Sequence, residues 1–216
     1  MSDVVRVLVV DDHPVVRAGL RGMLSVKPGI EIVGEAADGV EAIEQALLLN
    51  PDVVVLDLVM PRKTGIEVLA ELKARAPAIC IVVLTSYANQ DRVRAAVAAG
   101  AEGFVLKETR PEELVSAIRH VAAGGVWLDP SLAYGLMRQK PKEPAVLEEL
   151  TPREREVLTL LGQGLPNGDI AARLFITDST VRVHVSNILA KLQLSNRTQA
   201  ALFAAGRNPV LPSDGA

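Results

Sequence analysis

The chain reads as an α/β protein: a doubly wound, five-stranded parallel sheet followed by a small all-helical domain. Three observations predict this. Over the first 125 residues, short β-branched runs alternate with helical stretches of about 10–13 residues. The β runs are nearly continuous in apolar residues, as strands covered on both faces require. Five βα repeats of this length suit an open sheet, whereas a closed barrel needs about eight.

The strand predictions are 4–10, 31–36, 53–57, 79–85 and 103–107; the helix predictions are 14–26, 39–49, 65–75, 90–99 and 111–123. The first strand carries Val7-Leu8-Val9-Val10 and gives way to a helix at Pro14. Asp38-Gly39 marks the turn into the second helix and Pro51-Asp52 the turn into the third strand, Val53-Val54-Val55-Leu56. Ile81-Val82-Val83-Leu84 and Phe104-Val105-Leu106 supply the last two strands. Pro111-Glu112-Glu113 puts proline and two acids in a first helical turn, where the missing N–H is harmless and the dipole favours negative charge.

From Arg138 to Glu149 prolines and alternating charges replace the apolar pattern, which predicts a linker. The division is therefore a domain over 1–125, a linker over 126–149, a helical domain over 150–207 and a tail over 208–216. Thr151-Pro152-Arg153-Glu154 is a capping box with proline at the first helical position. Helices are predicted at about 152–163, 168–174, 178–192 and 196–206.

Composition narrows the functional classes. With 216 residues the chain holds a core domain of roughly 120 residues and a smaller second one. Only six residues are aromatic, so small aliphatics must pack the core. No run approaches the ~20 uncharged residues of a membrane span, and Met1-Ser2-Asp3-Val4 lacks the start of a signal peptide. Cys80 is the single cysteine and falls in a strand, which excludes an intrachain disulfide and predicts a buried, inert thiol. A cytoplasmic protein with no membrane partner is expected. Residues 1–128 hold 13 Lys/Arg against 17 Asp/Glu, while residues 151–210 hold 7 against 4. A basic end piece on an acidic body suggests a module that binds a polyanion.

Five polar residues stand where the apolar runs end: Asp11, Asp12, Asp57, Thr85 and Lys107. A parallel sheet brings all its strand C-termini to one edge, so these residues converge on one crevice. Mg²⁺ takes oxygen ligands and keeps several waters, so Asp12 and Asp57, with Asp11 directly or through water, suffice to hold it. The backbone carbonyl of Val59 offers another oxygen. Clustered carboxylates repel and a cation relieves the repulsion. Asp57 can then act as nucleophile and accept a phosphoryl group, whose oxygens the Lys107 ammonium and the Thr85 hydroxyl would meet.

The order Asp11-Asp12, Asp57, Met60-Pro61, Gly65, Thr85 and Lys107 resembles the receiver domain of two-component response regulators over about residues 4–123. The resemblance implies a flavodoxin-like fold, phosphorylation of Asp57 by a histidine kinase, and a requirement for Mg²⁺. It also implies that Thr85 and an aromatic residue, here Phe104, rearrange on phosphorylation; ordinary core packing is the other reading of Phe104. Lys107-Glu108 departs from the Lys-Pro pair of many receivers, and a cis bond without proline costs ~2.5–4 kcal/mol, so a trans bond is expected. His13 reads as a partly exposed residue at a helix start rather than a ligand. Val59 and Tyr87, two positions beyond Asp57 and Thr85, are bulky and non-acidic, which predicts slow loss of the phosphoryl group.

In the end piece, Val181, Val185, Ile188 and Leu192 form one helical face. The other face presents Ser179, Val183, Ser186, Asn187 and Ala190, with Arg182 and Lys191 on its flanks. Thr177 is the predicted N-cap, and the preceding 168–174 helix stands at helix-turn-helix spacing. Together Leu150–Glu154, Ile170–Leu174, Thr180–Val185 and Arg197–Ala201 resemble a LuxR-type output domain, placing the chain near the NarL/FixJ-like response regulators. That resemblance implies a recognition helix at 178–192, groove contacts from Val183, His184 and Asn187, and phosphate contacts from Thr180, Arg182 and Lys191. Three residues depart from it: Gly168 for a basic residue, Pro166 for a capping serine, and Gln193 for a glycine.

The function expected is a non-enzymatic transcription regulator in which phosphate on Asp57 promotes a homodimer on double-stranded DNA. A closed form in which the first domain covers the recognition helix is a further expectation. An aspartyl-phosphate phosphohydrolase is the rival, but such enzymes place an acid two residues after the nucleophile, and here Val59 stands there.

Overall fold

Alternation along each apolar run builds the two faces of the sheet. Leu8, Val10, Val54, Leu56, Ile81, Val83 and Phe104 point into one buried layer; Val7, Val9, Val53, Val55, Val82, Leu84 and Val105 point into the other. Both layers are needed because helices cover both faces. The structure is a computed structural model that describes residues 4–85, 90–137 and 150–206.

The strands are β1 (Val5–Val10), β2 (Ile30–Ala36), β3 (Val53–Asp57), β4 (Cys80–Thr85), β5 (Gly103–Leu106) and β6 (Trp127–Leu128). They lie in the order β2-β1-β3-β4-β5-β6, all parallel. Between them run α1 (Pro14–Ser25), α2 (Gly39–Leu49), α3 (Gly65–Arg75), α4 (Gln90–Ala99) and α5 (Pro111–Ala122). Helices α2, α3 and α4 pack on the first layer through residues such as Ala46, Leu69, Leu72 and Val93. The other layer is covered by α1 through Leu24 and by α5 through Leu114, Ile118 and Val121. The chain reverses its direction of winding between β1 and β3, so the crevice opens where ligands bind in such sheets.

Every predicted strand and helix is present, with boundaries within one residue. One assignment is corrected. Residues 126–137, predicted as linker, form β6 and a helix α6 (Pro130–Met137). β6 pairs only Trp127 with Gly103 and Leu128 with Phe104, too short a run to show a period. The linker prediction over 138–149, the 208–216 tail and Tyr87 lie outside the described residues.

The second domain consists of α7 (Pro152–Gly162), α8 (Asn167–Leu174), α9 (Asp178–Leu192) and α10 (Arg197–Ala205). Val157, Leu161, Ile170, Val181, Ile188 and Ala200 form its core. The capping box is as predicted: Thr151 Oγ1 accepts from Glu154 N, and the Glu154 carboxylate accepts from Thr151 N at 2.8 Å. Glu154 also receives Lys191 Nζ at 2.7 Å. Burial alone would raise its pKa, but hydrogen bonds from Lys191 and Thr151 outweigh that and hold Glu154 below the ordinary carboxyl value. A depressed folded pKa adds stability that is present above the ordinary value of 4.5 and lost as pH falls through the folded one. Thermal unfolding against pH should therefore show an acid-side loss in this domain, and Glu154→Gln should flatten it.

The two domains are latched together at α10, not at the recognition helix. Asn196 Nδ2, at the N-cap of α10, donates to Val97 O of α4 at 2.9 Å. The buried Thr198 hydroxyl donates to Ala101 O at 2.7 Å. Leu202 packs against the first core layer. Beyond α10, Val126 N donates to Gly164 O at 3.0 Å, and His120 Nε2 donates to the same carbonyl at 2.7 Å. The expectation that the first domain covers the recognition helix is therefore corrected: the outer face of α9 stays open, with Val183 58 % exposed.

Candidate functional site: the strand-end crevice and the open helix

Register brings the strand-end residues together. Val10 lies beside Leu56, so Asp11 emerges next to Asp57, while Asp57 lies beside Leu84 and Thr85 beside Leu106. Asp11 is fully enclosed, and Asp57 and Thr85 are nearly so. Lys107 Nζ bridges the two carboxylates, 2.8 Å from Asp11 Oδ2 and 2.7 Å from Asp57 Oδ2. Burial pulls the ammonium's pKa down, but these two hydrogen bonds outweigh it and hold Lys107 above its ordinary value. The second oxygen of each acid is held by backbone: Asp11 Oδ1 accepts from His13 N at 2.8 Å, and Asp57 Oδ1 from Val59 N at 3.2 Å.

The loop after β3 is fixed by two local devices. Thr64 and Glu67 form a capping box that starts α3. Gly65 follows, and a Cβ there would lie 2.3 Å from Asp57 O, so only glycine lets α3 approach the acceptor strand. The Lys107–Glu108 bond is trans, since no cis peptide occurs among the described residues.

A crevice of about 250 Å³ opens beside these groups, lined by His13, Asp57, Leu58, Val59, Thr85, Arg92 and Lys107. Oxygens of Asp11, Asp12 and Asp57 and a His13 nitrogen all lie within 4.8 Å of one another. Asp12 Oδ1 is buried, and His13 Nδ1 stands 2.7 Å from it, an ion pair when the imidazole is protonated. Three carboxylates this close together, one with an enclosed oxygen, are the arrangement that a hard divalent cation completes. Val59, half exposed, sits at the mouth of the crevice where the sequence pattern put it. His13 is largely exposed at the start of α1, as expected, yet its imidazole faces the acids rather than solvent alone.

Phe104 is completely buried in the first core layer beside Val83 of β4. Here it is a packing residue, and any rearrangement of it requires the layer to repack. Cys80 is half-buried and burial pushes its thiol up to about 11, so it carries little thiolate. Sequence reasoning missed Arg92, which lines the crevice from the first turn of α4. No period or spacing ties that residue to Asp57; only the folding of α4 over the strand ends does.

In the second domain, α9 starts as predicted, with Thr177 Oγ1 accepting from Thr180 N at 3.2 Å. Ser179, Arg182, Val183, Ser186, Asn187 and Ala190 are exposed on one face, and Thr180 and His184 are half-buried beside it. Arg182 pairs with Asp178 one turn back at 2.7 Å. The Lys191 ammonium pairs with Glu154 of α7 at 2.7 Å, and its side chain is partly exposed. Gln193 does occupy the left-handed C-cap position, with φ 53°, and Pro166 caps α8 without a side-chain hydrogen bond. Among the described residues no helix is long and apolar enough to cross a membrane.

Comparison with known proteins agrees with both halves. Residues 7–119 match the family described as response regulator receiver domain, and residues 148–204 match bacterial regulatory proteins of the luxR family. The nitrate/nitrite response regulator protein NarL of Escherichia coli K12 is 41 % identical over 201 residues, covering 91 % of this chain and 93 % of that one. The crystal structure of the response regulator ChrA from a heme-sensing two-component system is 38 % identical, covers 98 % of this chain and 100 % of that chain, and superposes with a TM-score of 0.55. The two-component response regulator RcsB in complex with DNA is 28 % identical over 93 % of this chain and 98 % of that one, with a TM-score of 0.57. The chain belongs to the two-component response regulators that join a receiver domain to a LuxR-type DNA-binding domain and act in transcription regulation.

Proposed function

We propose that Asp57 takes a phosphoryl group from the phosphohistidine of a histidine kinase and that the modification releases α10 from the receiver. The carrying observation is the enclosed Asp57–Lys107–Asp11 cluster, with the Asp12 carboxylate beside it at the same crevice. In the transfer, an Asp57 oxygen forms a bond to phosphorus as the donor's bond breaks and its electron pair leaves with the histidine. Asp11, Asp12, Asp57 and the Val59 carbonyl are the groups to hold Mg²⁺, which supplies charge neutralisation of the phosphoryl oxygens when bound. Lys107 and Thr85 bind phosphoryl oxygens, and Thr85 with Phe104 are the residues proposed to rearrange. None of these groups offers a hydrolytic acid at the Val59 position, which favours a stored signal over turnover and a non-enzymatic role.

The output runs through α4. Its first turn borders the crevice, and its C-terminal end carries the Val97 carbonyl that Asn196 holds. Separation of the domains uncovers Thr198 and Leu202 on α10, surface available to a second copy in a homodimer on DNA. The α9 face of Thr180, Arg182, Val183, His184 and Asn187 is assigned to double-stranded DNA. Arg182 supplies a phosphate contact, and the small side chains let the helix enter the groove. Lys191, paired with Glu154 in the free chain, is assigned a phosphate contact on the other flank. The setting expected is the cytoplasm.

Two tests follow. Intact mass after incubation with an acyl phosphate should show one added phosphoryl group with Mg²⁺ and none with a chelator. Thr198→Val keeps volume but strands the buried Ala101 carbonyl, which costs ~1–3 kcal/mol of latch. DNA affinity without phosphate should then rise about tenfold, and scattering should show a more extended particle. Unchanged affinity and shape would mean that α10 is not what restrains the chain.

A further inference from the structure

Transfer of a phosphoryl group adds charge that the five strand-end residues do not balance. Before it, three carboxylates face Lys107 and a divalent cation, and the charges cancel. Afterwards the Asp57 carboxylate has become a doubly charged acyl phosphate, and one negative charge is left over. Among the described residues, Lys107 and Arg92 are the lysine and arginine that line the crevice. Lys107 is already counted in that balance, through its pairs with Asp11 and Asp57.

Arg92 is the third residue of α4, in its first turn. A cation there opposes the helix dipole. A guanidinium at the mouth of an anion site, by contrast, is the group best shaped to hold two phosphoryl oxygens at once. The geometry points to Arg92 as a second phosphoryl-binding cation of this site, one that ties the start of α4 to the phosphate. Val97, on the same rigid helix, carries the carbonyl that holds Asn196, so a pull on Arg92 is delivered to the α10 latch.

The inference rests on the reading of Asp57 as the acceptor, and one titration separates the two. Beryllofluoride with Mg²⁺, a mimic of the aspartyl phosphate, is titrated calorimetrically into the full chain, Asp57→Asn, Arg92→Gln and Arg92→Lys. Wild type should bind and Asp57→Asn should not; failure of either overturns the acceptor reading and the inference with it. Arg92→Gln should bind the mimic about tenfold more weakly, with Arg92→Lys in between, while Mg²⁺ alone binds as well as or better than in wild type. Binding of the mimic by Arg92→Gln within twofold of wild type would overturn the role of Arg92 and leave Asp57 as acceptor. Equal weakening of Mg²⁺ alone would overturn it too, since the arginine would then be acting on the shape of the site. A thermal midpoint for Arg92→Gln within a few degrees of wild type is expected, because the side chain is exposed.

Discussion

Asp57→Asn is expected to abolish labelling by an acyl phosphate and to leave DNA affinity unmoved by acyl phosphate and Mg²⁺. The reason is chemical, not structural. An amide nitrogen has its lone pair delocalised into the carbonyl, and an amide oxygen is a poor nucleophile toward phosphorus. The fold should survive, because asparagine keeps the volume and its one side-chain oxygen can take over the Lys107 hydrogen bond that Asp57 Oδ2 now accepts at 2.7 Å. Removing one of three clustered carboxylates also relieves their repulsion when no cation is bound. Thermal stability in chelator should therefore hold or rise while the switch is lost. A variant that is still labelled would place the acceptor on another residue.

Lys107→Ala is expected to damage both stability and signalling. The ammonium satisfies one oxygen of each of two enclosed acids, at 2.8 and 2.7 Å. Without it, Asp11 and Asp57 face each other with no counter-charge, and breaking such a pair costs ~3–5 kcal/mol when fully buried. The Lys107 side chain is 25 % exposed, so a loss nearer ~2–3 kcal/mol is expected after screening. Urea unfolding in chelator should show that loss, and Mg²⁺ should restore part of it by neutralising the same carboxylates. Thr85→Ala should cost less, because a neutral hydroxyl makes hydrogen bonds about half as strong as a charged group. Equal stability of Lys107→Ala and wild type in chelator would show that the bridge contributes nothing net.

The acceptor site was legible in the sequence because parallel strands convert distance along the chain into position at one edge. Asp11, Asp57, Thr85 and Lys107 each end an apolar run, and the register of four strands brings those ends together. Periodicity likewise exposed the inner face of α9, where Val181 and Ile188 are fully buried. What stayed hidden depends on how separate elements pack. β6 has two residues and no period. Arg92 reaches the crevice only because α4 folds over the strand ends. Lys191 lies at a helical position that permits a DNA flank, and nothing in its spacing announced its pairing with the buried Glu154 of α7. The latch through Asn196 and Thr198 joins residues nearly a hundred positions apart through hydrogen bonds to backbone carbonyls, which no side-chain pattern announces.

The most direct test of the central claim is the affinity of the full chain for its DNA site, measured with and without acyl phosphate and Mg²⁺ alongside particle size. Phosphorylation of Asp57 with loss of the α10 latch predicts a rise in affinity of tenfold or more, together with a shift from monomer to dimer, and neither change in Asp57→Asn. The same affinity and size in all four conditions would contradict it, and would mean that the charge placed in the crevice never reaches the DNA-binding helix.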